Sequence, residues 1–331
     1  MIPHLIVLTP DGLYCPAGDF HIDPWRPVAR AVITHGHSDH ARSGSARYHA
    51  VREGLAILQH RLGPESVIQA HEYGETFHFG PVRVSLHPAG HILGSSQVRV
   101  ELDGLVWVVS GDYKREADPT CAPFEVVRCD GFITEATFGL PCYRWPSMDE
   151  TIGDLLSWWD RCAREKSPAI LCCYALGKAQ RLLAELKLRV DRPVYLHGAM
   201  HALVERYRDA GVDMLPTERV SETPRARDFA GELILAPPSA TGSPWMRRFA
   251  SASTAFASGW MLIRGNRRRR GYDRGFPVSD HADWPALIDT IRATGARTVL
   301  ATHGNTDALV AWLREGGIAA EALRTELGGE E

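Results

Sequence analysis

The sequence predicts an α/β protein with a sheet-rich first part and an alternating second part. In the first 140 residues, short runs such as PVRVSLH and SQVRVEL have the length of strands, and most of them end at Gly, Asp or His. From Met148 onward, apolar residues at helical spacing alternate with apolar runs such as AILCCYAL. The 331 residues are 44% hydrophobic and 23% charged, enough to bury one large core or two smaller ones.

The first part is predicted to contain a hairpin and five further strands. The runs HLIVLT and LYC flank Pro10-Asp11-Gly12, a turn triplet, and therefore predict the hairpin. We expect functional side chains at the ends of the strands that follow, which are RAVITH, PVRVSLH, SQVRVEL, LVWVVSGD and DGFITEAT.

The second part is predicted to alternate helices with the strands of a parallel sheet. Ser147 is a suitable N-cap for a helix over MDETIGDLLSWWDRCARE. The predicted strands are AILCCYAL, RPVYLHG, GELILAP and TAFASGW, with helices over GKAQRLLAELKLRV and AMHALVERYRDAG. The chain closes with the helix HADWPALIDTIRATGA, the strand RTVLATHG and the helix NTDALVAWLREGG.

Composition argues against several classes of protein. The segment MIPHLIVLTPDGLYC lacks a basic region followed by a long apolar one, and no uninterrupted apolar segment reaches about 18 residues. The seven cysteines form no CxxC pair, so we expect reduced thiols. A net charge of −3 argues against a generally basic coat for nucleic acid. We predict a cytoplasmic protein without membrane association.

Three histidines and one aspartate lie within the six residues His35-Gly-His-Ser-Asp-His40, directly after an apolar run. His91, in HPAGHILGSS, and Asp112, in WVVSGDY, also follow strand-like runs. Imidazole and carboxylate ligands suit zinc, or manganese at a more oxygen-rich site. A chance cluster on a surface loop is the alternative, but it leaves the positions of His91 and Asp112 without a reason. The sequence therefore predicts a site for two divalent metal ions.

These motifs resemble those of a known family. HGHSDH, His91 and the SGD of Asp112 resemble the successive metal motifs of the metallo-β-lactamase fold, in which two sheets between helices hold a dinuclear site. ITEATFG resembles the acidic motif of the β-CASP nucleases, and YALGKAQRLLAEL resembles the strand and helix that open their inserted domain. PVSDHADW and LATHGN resemble their last two histidine motifs. The chain as a whole resembles the bacterial DNA ligase-associated exonucleases, which are similar to the DNA interstrand-crosslink repair nucleases.

The resemblance implies a domain organisation and a function. Residues 1–145 and 265–331 would form the metallo-β-lactamase domain, and residues 146–264 the inserted β-CASP domain. The implied activity is that of a metal-dependent DNA exonuclease, 5′ to 3′, which trims DNA ends during repair before ligation. The implied partners are DNA with a free or single-stranded end, an ATP-dependent DNA ligase and a helicase.

The resemblance also implies a role for each residue of the site. One metal ion would be held by His35, His37 and His91, the other by Asp39, His40 and His303, with Asp112 bridging both. Glu135 would orient His281, which donates a proton to the departing 3′-oxygen, a task suited to imidazole. We assign Asp39, Glu135 and His281 as catalytic residues.

His303 leaves RNA open as a substrate. The crosslink-repair branch of the family usually has an apolar residue at this position, whereas the RNA-processing branch has a histidine. A β-CASP ribonuclease is therefore the alternative enzyme. A non-catalytic nucleic-acid-binding subunit is a third reading, but it predicts lost ligands and none is lost here. A small-molecule hydrolase, acting on a thioester or a lactam, is a further alternative. It is disfavoured because hydrolases of this kind lack the inserted domain and the pair that Glu135 and His281 form here.

Two features predict contacts with nucleic acid. Lys178 lies where a predicted strand meets a helix N-terminus, a natural site for a phosphate. A run of arginines precedes Tyr272, whose ring could stack on an unpaired base. A solvated loop that serves solubility is the alternative for this run, which consists of Arg267, Arg268, Arg269 and Arg270.

Overall fold

The protein is described by a computed structural model that covers residues 4–224, 228–249, 251–263, 265 and 271–325. The chain divides into two compact units. The first unit contains the residues up to Arg144 together with those from His281 onward, and the second contains Trp145–Asp280. Both units combine sheets with helices, which confirms the predicted α/β class.

The strands and helices are numbered in chain order over the described residues. The strands are β1 (Val7–Thr9), β2 (Gly12–Cys15), β3 (Phe20–Ile22), β4 (Ala31–Val32), β5 (Tyr48–Val51), β6 (Ile68–His71), β7 (Thr76–Phe79), β8 (Val82–Pro88), β9 (Ser96–Leu102), β10 (Leu105–Val109), β11 (Gly131–Glu135), β12 (Ala169–Cys172), β13 (Val194–Leu196), β14 (Thr217–Arg219), β15 (Leu233–Ala236), β16 (Ser253–Ala257), β17 (Arg274–Phe276), β18 (Thr298–Thr302) and β19 (Ala319–Ala322). The helices are α1 (Leu55–Leu62), α2 (Met148–Arg164), α3 (Lys178–Lys187), α4 (Gly198–Asp209), α5 (Trp284–Thr294) and α6 (Thr306–Glu315).

The first unit contains two sheets. One has the strand order β1-β2-β3-β4-β5-β6, antiparallel from β1 to β3 and parallel from β3 to β6. The other has the order β19-β18-β11-β10-β9-β8-β7. Within this second sheet β10, β11, β18 and β19 are parallel, while β7 to β10 form an antiparallel meander. The predicted hairpin at Pro10-Asp11-Gly12 is confirmed by the pairing of β1 with β2.

The two sheets of the first unit pack face to face. One apolar core contains Phe20 and Val32 from the first sheet and Trp107, Val109 and Ile133 from the second. A second core joins the outer face of the second sheet to α5 and α6, and a third joins the outer face of the first sheet to α1. Since a sheet that is apolar on both faces must be covered on both, this layering follows from the buried strands.

The second unit contains one six-stranded sheet with the order β14-β13-β15-β12-β16-β17. All neighbouring strands of this sheet are parallel. The strands β12 and β15 are buried along their whole length, as expected for strands covered on both faces. Ser147 caps α2 in a reciprocal capping box with Glu150, so its predicted role is confirmed.

Several elements were not predicted. The strand–helix–strand segment from β5 through α1 to β6 has no strong periodicity, and β3, β7, β14, β17 and β19 have three or four residues each. The second unit also extends to Asp280, beyond the predicted end of the inserted domain at residue 264. The reason is β17, which pairs with β16 in the sheet of that unit. The identification of this unit as a β-CASP domain stays a prediction.

All seven cysteines are free thiols, and Cys172 and Cys173 are buried, as expected. Among the described residues, no helix is long and apolar enough to cross a membrane.

Candidate metal centre

The candidate ligands lie where strands of the first unit end. His91 follows β8, Asp112 follows β10, Glu135 is the last residue of β11, and His303 follows β18. These four strands run in the same direction within their sheet, so their carboxyl ends meet at one edge. The loop after β4 contributes His35, His37, Asp39 and His40 from the other sheet.

Three histidines and Asp112 form a first group of candidate ligands. Nδ1 of His37 lies 3.1 Å from Nε2 of His35 and 3.1 Å from Nε2 of His91. Oδ2 of Asp112 lies 3.5 Å from Nε2 of His35 and 3.8 Å from Nε2 of His91. All four side chains are buried.

A second group shares the same carboxylate. The ligand atoms of His40, Asp112 and His303 lie within 4.8 Å of one another. Nε2 of His40 is 3.4 Å from Oδ2 of Asp112 and 3.7 Å from Oδ2 of Asp39. Both ring nitrogens of His303 are buried without a hydrogen-bond partner in the part of the chain that the structure describes. Buried ring nitrogens of this kind call for a bound partner.

Asp23 and Thr34 fix the proton positions of two of these histidines. Oδ2 of Asp23 lies 2.7 Å from Nδ1 of His40 and accepts a 2.5 Å hydrogen bond from the hydroxyl of Thr34. Since the Thr34 hydroxyl hydrogen is used in that bond, its oxygen accepts from Nδ1 of His35 at 3.0 Å. In its neutral form each ring therefore carries its proton on Nδ1 and presents the lone pair of Nε2 toward Asp112.

The residues present fit a divalent metal ion. Lone pairs of His35 and His40 face the carboxylate of Asp112, so acceptor atoms point at one another. A cation between them would remove this repulsion. A tetrahedral zinc site with bonds of about 2.0–2.1 Å has ligand atoms about 3.3–3.4 Å apart. The distances of 3.1–3.8 Å in the first group bracket this value. The donor set can therefore hold a divalent metal ion.

The pKa values show the same excess of negative charge. Burial opposes the change, but the carboxylates of Asp112, Asp23 and Asp39 raise the pKa of His40 well above its ordinary value. Although burial also acts against it, the neighbouring His40, His281 and His35 hold the pKa of Asp112 well below its usual range. A metal ion stabilises the ionised carboxylate in the same way as a protonated ring does.

Glu135 and His281 form a third group with Asp112, again within 4.8 Å. Oε2 of Glu135 lies 2.8 Å from Nδ1 of His281 and accepts a 2.6 Å hydrogen bond from the Thr137 hydroxyl. Its Oε1 accepts from the backbone N–H of Tyr113 at 2.7 Å. Burial raises the pKa of Glu135, although His281 opposes the shift. The imidazole is therefore held in a fixed orientation beside the first group.

Two residues of the site have unusual backbone conformations. Asp23 has a φ of 44° and His303 a φ of 60°, in the left-handed region that residues other than glycine rarely adopt. Gly304, which follows His303, packs its Cα against Ala136 and Thr137, where a side chain would collide with backbone atoms. Strained conformations concentrate at functional sites because the surrounding structure imposes them.

Sequence reasoning missed Asp23 and Thr34. Asp23 precedes Pro24 and therefore looks like any turn residue. Its role depends on the parallel pairing of β3 with β4, which places its carboxylate beside Thr34 and His40. The signal available in the sequence was only that Asp23 follows a strand, as Asp112 does.

The predicted contacts with nucleic acid lie elsewhere in the chain. Lys178 begins α3, where it is buried and 3.5 Å from Asp280. The ring of Tyr272 stacks on Phe256 at 5.2 Å, and its hydroxyl lies 2.8 Å from that of Thr241. The role of both residues stays a prediction. Arg267, Arg268, Arg269 and Arg270 lie outside the described residues.

Comparison with known proteins finds similar sequences and a similar fold. No family model matches the chain. Over 314 residues, or 94% of its length, the chain is 30% identical to a protein of Opitutus terrae named "Probable DNA ligase", of which it covers 30%. Over 169 residues, or 50% of its length, it is 31% identical to "Endoribonuclease YSH1" of Gibberella zeae, of which it covers 19%. The chain thus spans less than a third of either relative.

A solved structure shares the fold. The crystal structure of a protein of unknown function from Enterococcus faecalis V583 superposes with a TM-score of 0.62 at 12% identity, covering 91% of this chain and 80% of that one. The fold and the site define an α/β protein with a buried histidine–aspartate centre at the ends of its strands. The chain is similar both to a protein named as a DNA ligase and to one named as an endoribonuclease, which confirms the resemblance carried by HGHSDH and its companion motifs.

Proposed function

We propose that the protein is a metal-dependent phosphodiesterase that acts as an exonuclease on DNA ends before ligation. The observation that carries the proposal is that the carboxylate of Asp112 belongs to all three groups of the site. In this proposal the first unit is the metallo-β-lactamase sandwich, and the second unit is the inserted β-CASP domain.

The first group would hold one divalent metal ion through His35, His37, His91 and Asp112, and the second would hold another through Asp39, His40, Asp112 and His303. Two such ions, zinc or manganese, would supply a hydroxide from bound water at neutral pH and would neutralise the charge of the phosphate under attack. Asp23 and Thr34 keep the ligand nitrogens of His40 and His35 unprotonated for this purpose.

Glu135 and His281 would manage the proton of the leaving group. The carboxylate of Glu135 accepts from Nδ1 of His281, so it stabilises the positively charged ring. The remaining ring nitrogen, Nε2, then donates its proton to the departing 3′-oxygen. Thr137 and the backbone of Tyr113 hold the carboxylate in place during this transfer.

DNA is the proposed substrate because the chain matches, over 94% of its length, part of a protein named as a DNA ligase. A nuclease that trims ends would supply such an enzyme with ends that can be joined. An association with an ATP-dependent DNA ligase and a helicase belongs to the same proposal, as does a cytoplasmic location.

A ribonuclease is the second candidate function. The chain is 31% identical over 169 residues to a protein named as an endoribonuclease. His303 also contributes to the second group, at the position where the RNA-processing branch of the family has a histidine. These two observations support RNA as strongly as the ligase-named relative supports DNA.

One assay distinguishes these functions. Purified protein is incubated with single-stranded DNA, duplex DNA or RNA, each labelled at the 5′ or the 3′ end, in the presence of zinc or manganese. We expect mononucleotides from linear DNA, released first from the 5′ end, and no cleavage of circular single-stranded DNA. The matched control is Asp112→Asn prepared in parallel, which excludes a contaminating nuclease. Cleavage of RNA alone would establish the ribonuclease, and cleavage of none of the substrates would favour a binding subunit.

A further inference from the structure

A cavity of about 560 Å³ lies between the two sheets of the first unit, away from the metal centre. Two turns contribute to it, those that precede β4 and β5, and its other walls come from β5, β6 and β7 with the turn after it. The residues that line it are Ala29, Arg30, Ala46, Arg47, His49, Gln69, Phe77, His78, Phe79 and Gly80.

The cavity lies at the amino ends of the parallel strands of the first sheet, whereas the metal centre lies at their carboxyl ends. Arg30 directly precedes β4 and Arg47 directly precedes β5, whereas His35 follows β4. Since these two strands are parallel, the residues that precede them lie together at one end, and the residues that follow them lie at the other end. Arg30 and His35 are five positions apart in the sequence, which in fully extended chain corresponds to at most about 16 Å.

The charge of the cavity is positive. Arg30 lies 3.4 Å from Asp19 and donates to the carbonyl of Gly18, but Arg47 is exposed and has no ion pair within the described ranges. No carboxylate is among the residues that line the cavity. Arg47 therefore keeps a positive charge that no carboxylate of the described residues compensates, and such a guanidinium group attracts an anion.

A buried histidine completes the donor set. His49 is only 5% exposed, and its Nε2 is buried without a hydrogen-bond partner in the described part of the chain. Its Nδ1 lies 3.1 Å from Nε2 of His71, whose Nδ1 lies 3.4 Å from the carboxylate of Glu75. Glu75 can only accept, so Nδ1 of His71 carries a proton and Nε2 of His71 accepts from Nδ1 of His49. Nε2 of His49 is therefore the atom that gains or loses a proton.

We propose that this cavity binds a phosphate-bearing small molecule, held by Arg30 and Arg47 and by His49 in its protonated form. The tetrahedral oxyanion suits the forked donors of arginine, and the amide of Gln69 offers a further donor. The proposal is independent of the reaction at the metal centre. Inorganic phosphate and the terminal phosphate of a nucleotide share this chemistry.

Proton uptake by His49 should accompany binding. The charged and titratable groups around it are Arg30 and Arg47 from the turns, His71 from β6 with Glu75 behind it, and His78 from β7. Burial, followed by the charges of His71, Arg47 and Arg30, lowers the pKa of His49 to about 4. An anion between the arginines offsets that repulsion and favours the charged ring.

The test is calorimetric titration of the metal-loaded protein with sulfate, an oxyanion whose charge does not change between pH 6 and pH 8. We expect one site per chain and binding at least about tenfold tighter at pH 6 than at pH 8. Arg47→Gln should weaken binding at least about tenfold, because a charge-assisted hydrogen bond is lost. Arg83→Gln removes an exposed arginine of β8 in the same unit and should leave binding unchanged within about twofold.

Three results would overturn the proposal. Sulfate binding of wild-type strength in Arg47→Gln would exclude the cavity, since this exposed side chain is not needed for folding. Binding that is lost in Asp112→Asn but kept in Arg47→Gln would assign the anion to the metal centre. A pH dependence that persists in His49→Gln would exclude proton uptake by His49, provided that the variant melts as one transition.

Two further titrations identify the source of the phosphate. Inorganic phosphate and a nucleoside 5′-monophosphate are compared with sulfate in wild type and in Arg47→Gln. Binding of the monophosphate that is at least about tenfold tighter, and that Arg47→Gln abolishes, supports a nucleotide as the ligand. Equal affinities that respond equally to Arg47→Gln support free phosphate.

Discussion

Histidines cluster at both edges of the first unit's parallel strands, but the charges that surround them are opposite. At the metal centre, Asp112, Asp23 and Asp39 surround His40. At the cavity, Arg30 and Arg47 surround His49. The carboxylates raise the pKa of His40 against the effect of burial, whereas burial and the arginines lower the pKa of His49 to about 4.

The comparison shows that neighbouring charges decide what a buried histidine can bind. Imidazoles beside carboxylates present lone pairs to a region of negative potential, which favours a cation. Imidazoles beside guanidinium groups become donors when an anion arrives. The same residue type would therefore serve opposite ligands at the two sites, and each site can be disrupted without touching the other.

The largest expected effect is that of Asp112→Asn, which removes the negative charge with almost no change in shape. Because this carboxylate belongs to all three groups, we expect most of the bound metal to be lost. Nuclease activity should fall at least about 10⁴-fold, since metal ions supply several kcal/mol of transition-state stabilisation. Metal content is measured by elemental analysis and activity with end-labelled DNA. Asp103→Asn, in an exposed turn of the same unit, is the matched control. Full metal occupancy in Asp112→Asn would refute the sharing of this carboxylate.

His281→Gln separates proton transfer from metal binding. The variant should keep its metal but lose about 10²–10⁴-fold in the rate of DNA cleavage, because general acid catalysis contributes that much. An aryl phosphodiester, whose leaving group needs no proton, should be hydrolysed at close to the wild-type rate. Loss of metal from His281→Gln would identify His281 as a ligand instead.

Asp23→Asn tests whether the carboxylate that contacts Nδ1 of His40 prepares this ring for metal binding. The amide can donate a hydrogen where the carboxylate only accepts, so Nδ1 of His40 is no longer fixed as a donor. We expect metal affinity to fall about 10–100-fold, with activity restored by excess metal. Asn tolerates the left-handed backbone of Asp23, so the fold should persist. Asp11→Asn, at an exposed surface ion pair, should change neither property. Unchanged metal affinity in Asp23→Asn would refute this role.

The smallest expected effect is the pH dependence that His49 gives to the stability of the folded protein. The pKa of His49 lies near 4 in the folded protein and near 6.5 when it is exposed, so the unfolded chain takes up a proton first as the pH falls. Stability should therefore be full above pH 6.5 and decline as the pH falls from there toward 4. Between pH 6.5 and 5 we expect a loss of roughly 1–2 kcal/mol from this group.

The contribution of His49 is isolated by denaturant unfolding of wild type and His49→Gln in the same series of buffers. The difference in unfolding free energy between them should change with pH, because only wild type carries the titrating ring. His60→Gln, on the exposed side of α1, serves as the control for losing a histidine. A difference that is independent of pH would show that the cavity does not hold His49 uncharged.

The clustering of the candidate metal ligands could be predicted because these residues are concentrated in sequence. Four candidate ligands fall within HGHSDH, and the others follow strands that the apolar pattern already identifies. The ends of parallel strands meet at one edge, so strand assignment alone brings His91 and Asp112 together. The pairing of Glu135 with His281 spans 146 residues and rested on the resemblance to a family.

The cavity and Asp23 could not be predicted, because they depend on contacts that no local pattern encodes. Arg30 and Arg47 are ordinary turn residues until the parallel pairing of β4 with β5 places them side by side. His49 lies in YHAV, a strand too short to assign, and it meets His71 only through the pairing of β5 with β6. The end of the second unit was placed too early for the same reason, since three residues of β17 decide it.

The position of β18 inside the second sheet, between β11 and β19, has a consequence for folding during synthesis. Its neighbour β11 leaves the ribosome roughly 160 residues earlier, which at 5–20 residues per second is about 8–30 s. During that interval β11, which is buried along its length in the native fold, is the edge of an incomplete sheet. Such an edge pairs readily with other chains. We expect the second unit, whose strands are all made before β18, to fold first, and nascent chains that stall before Thr298 to aggregate.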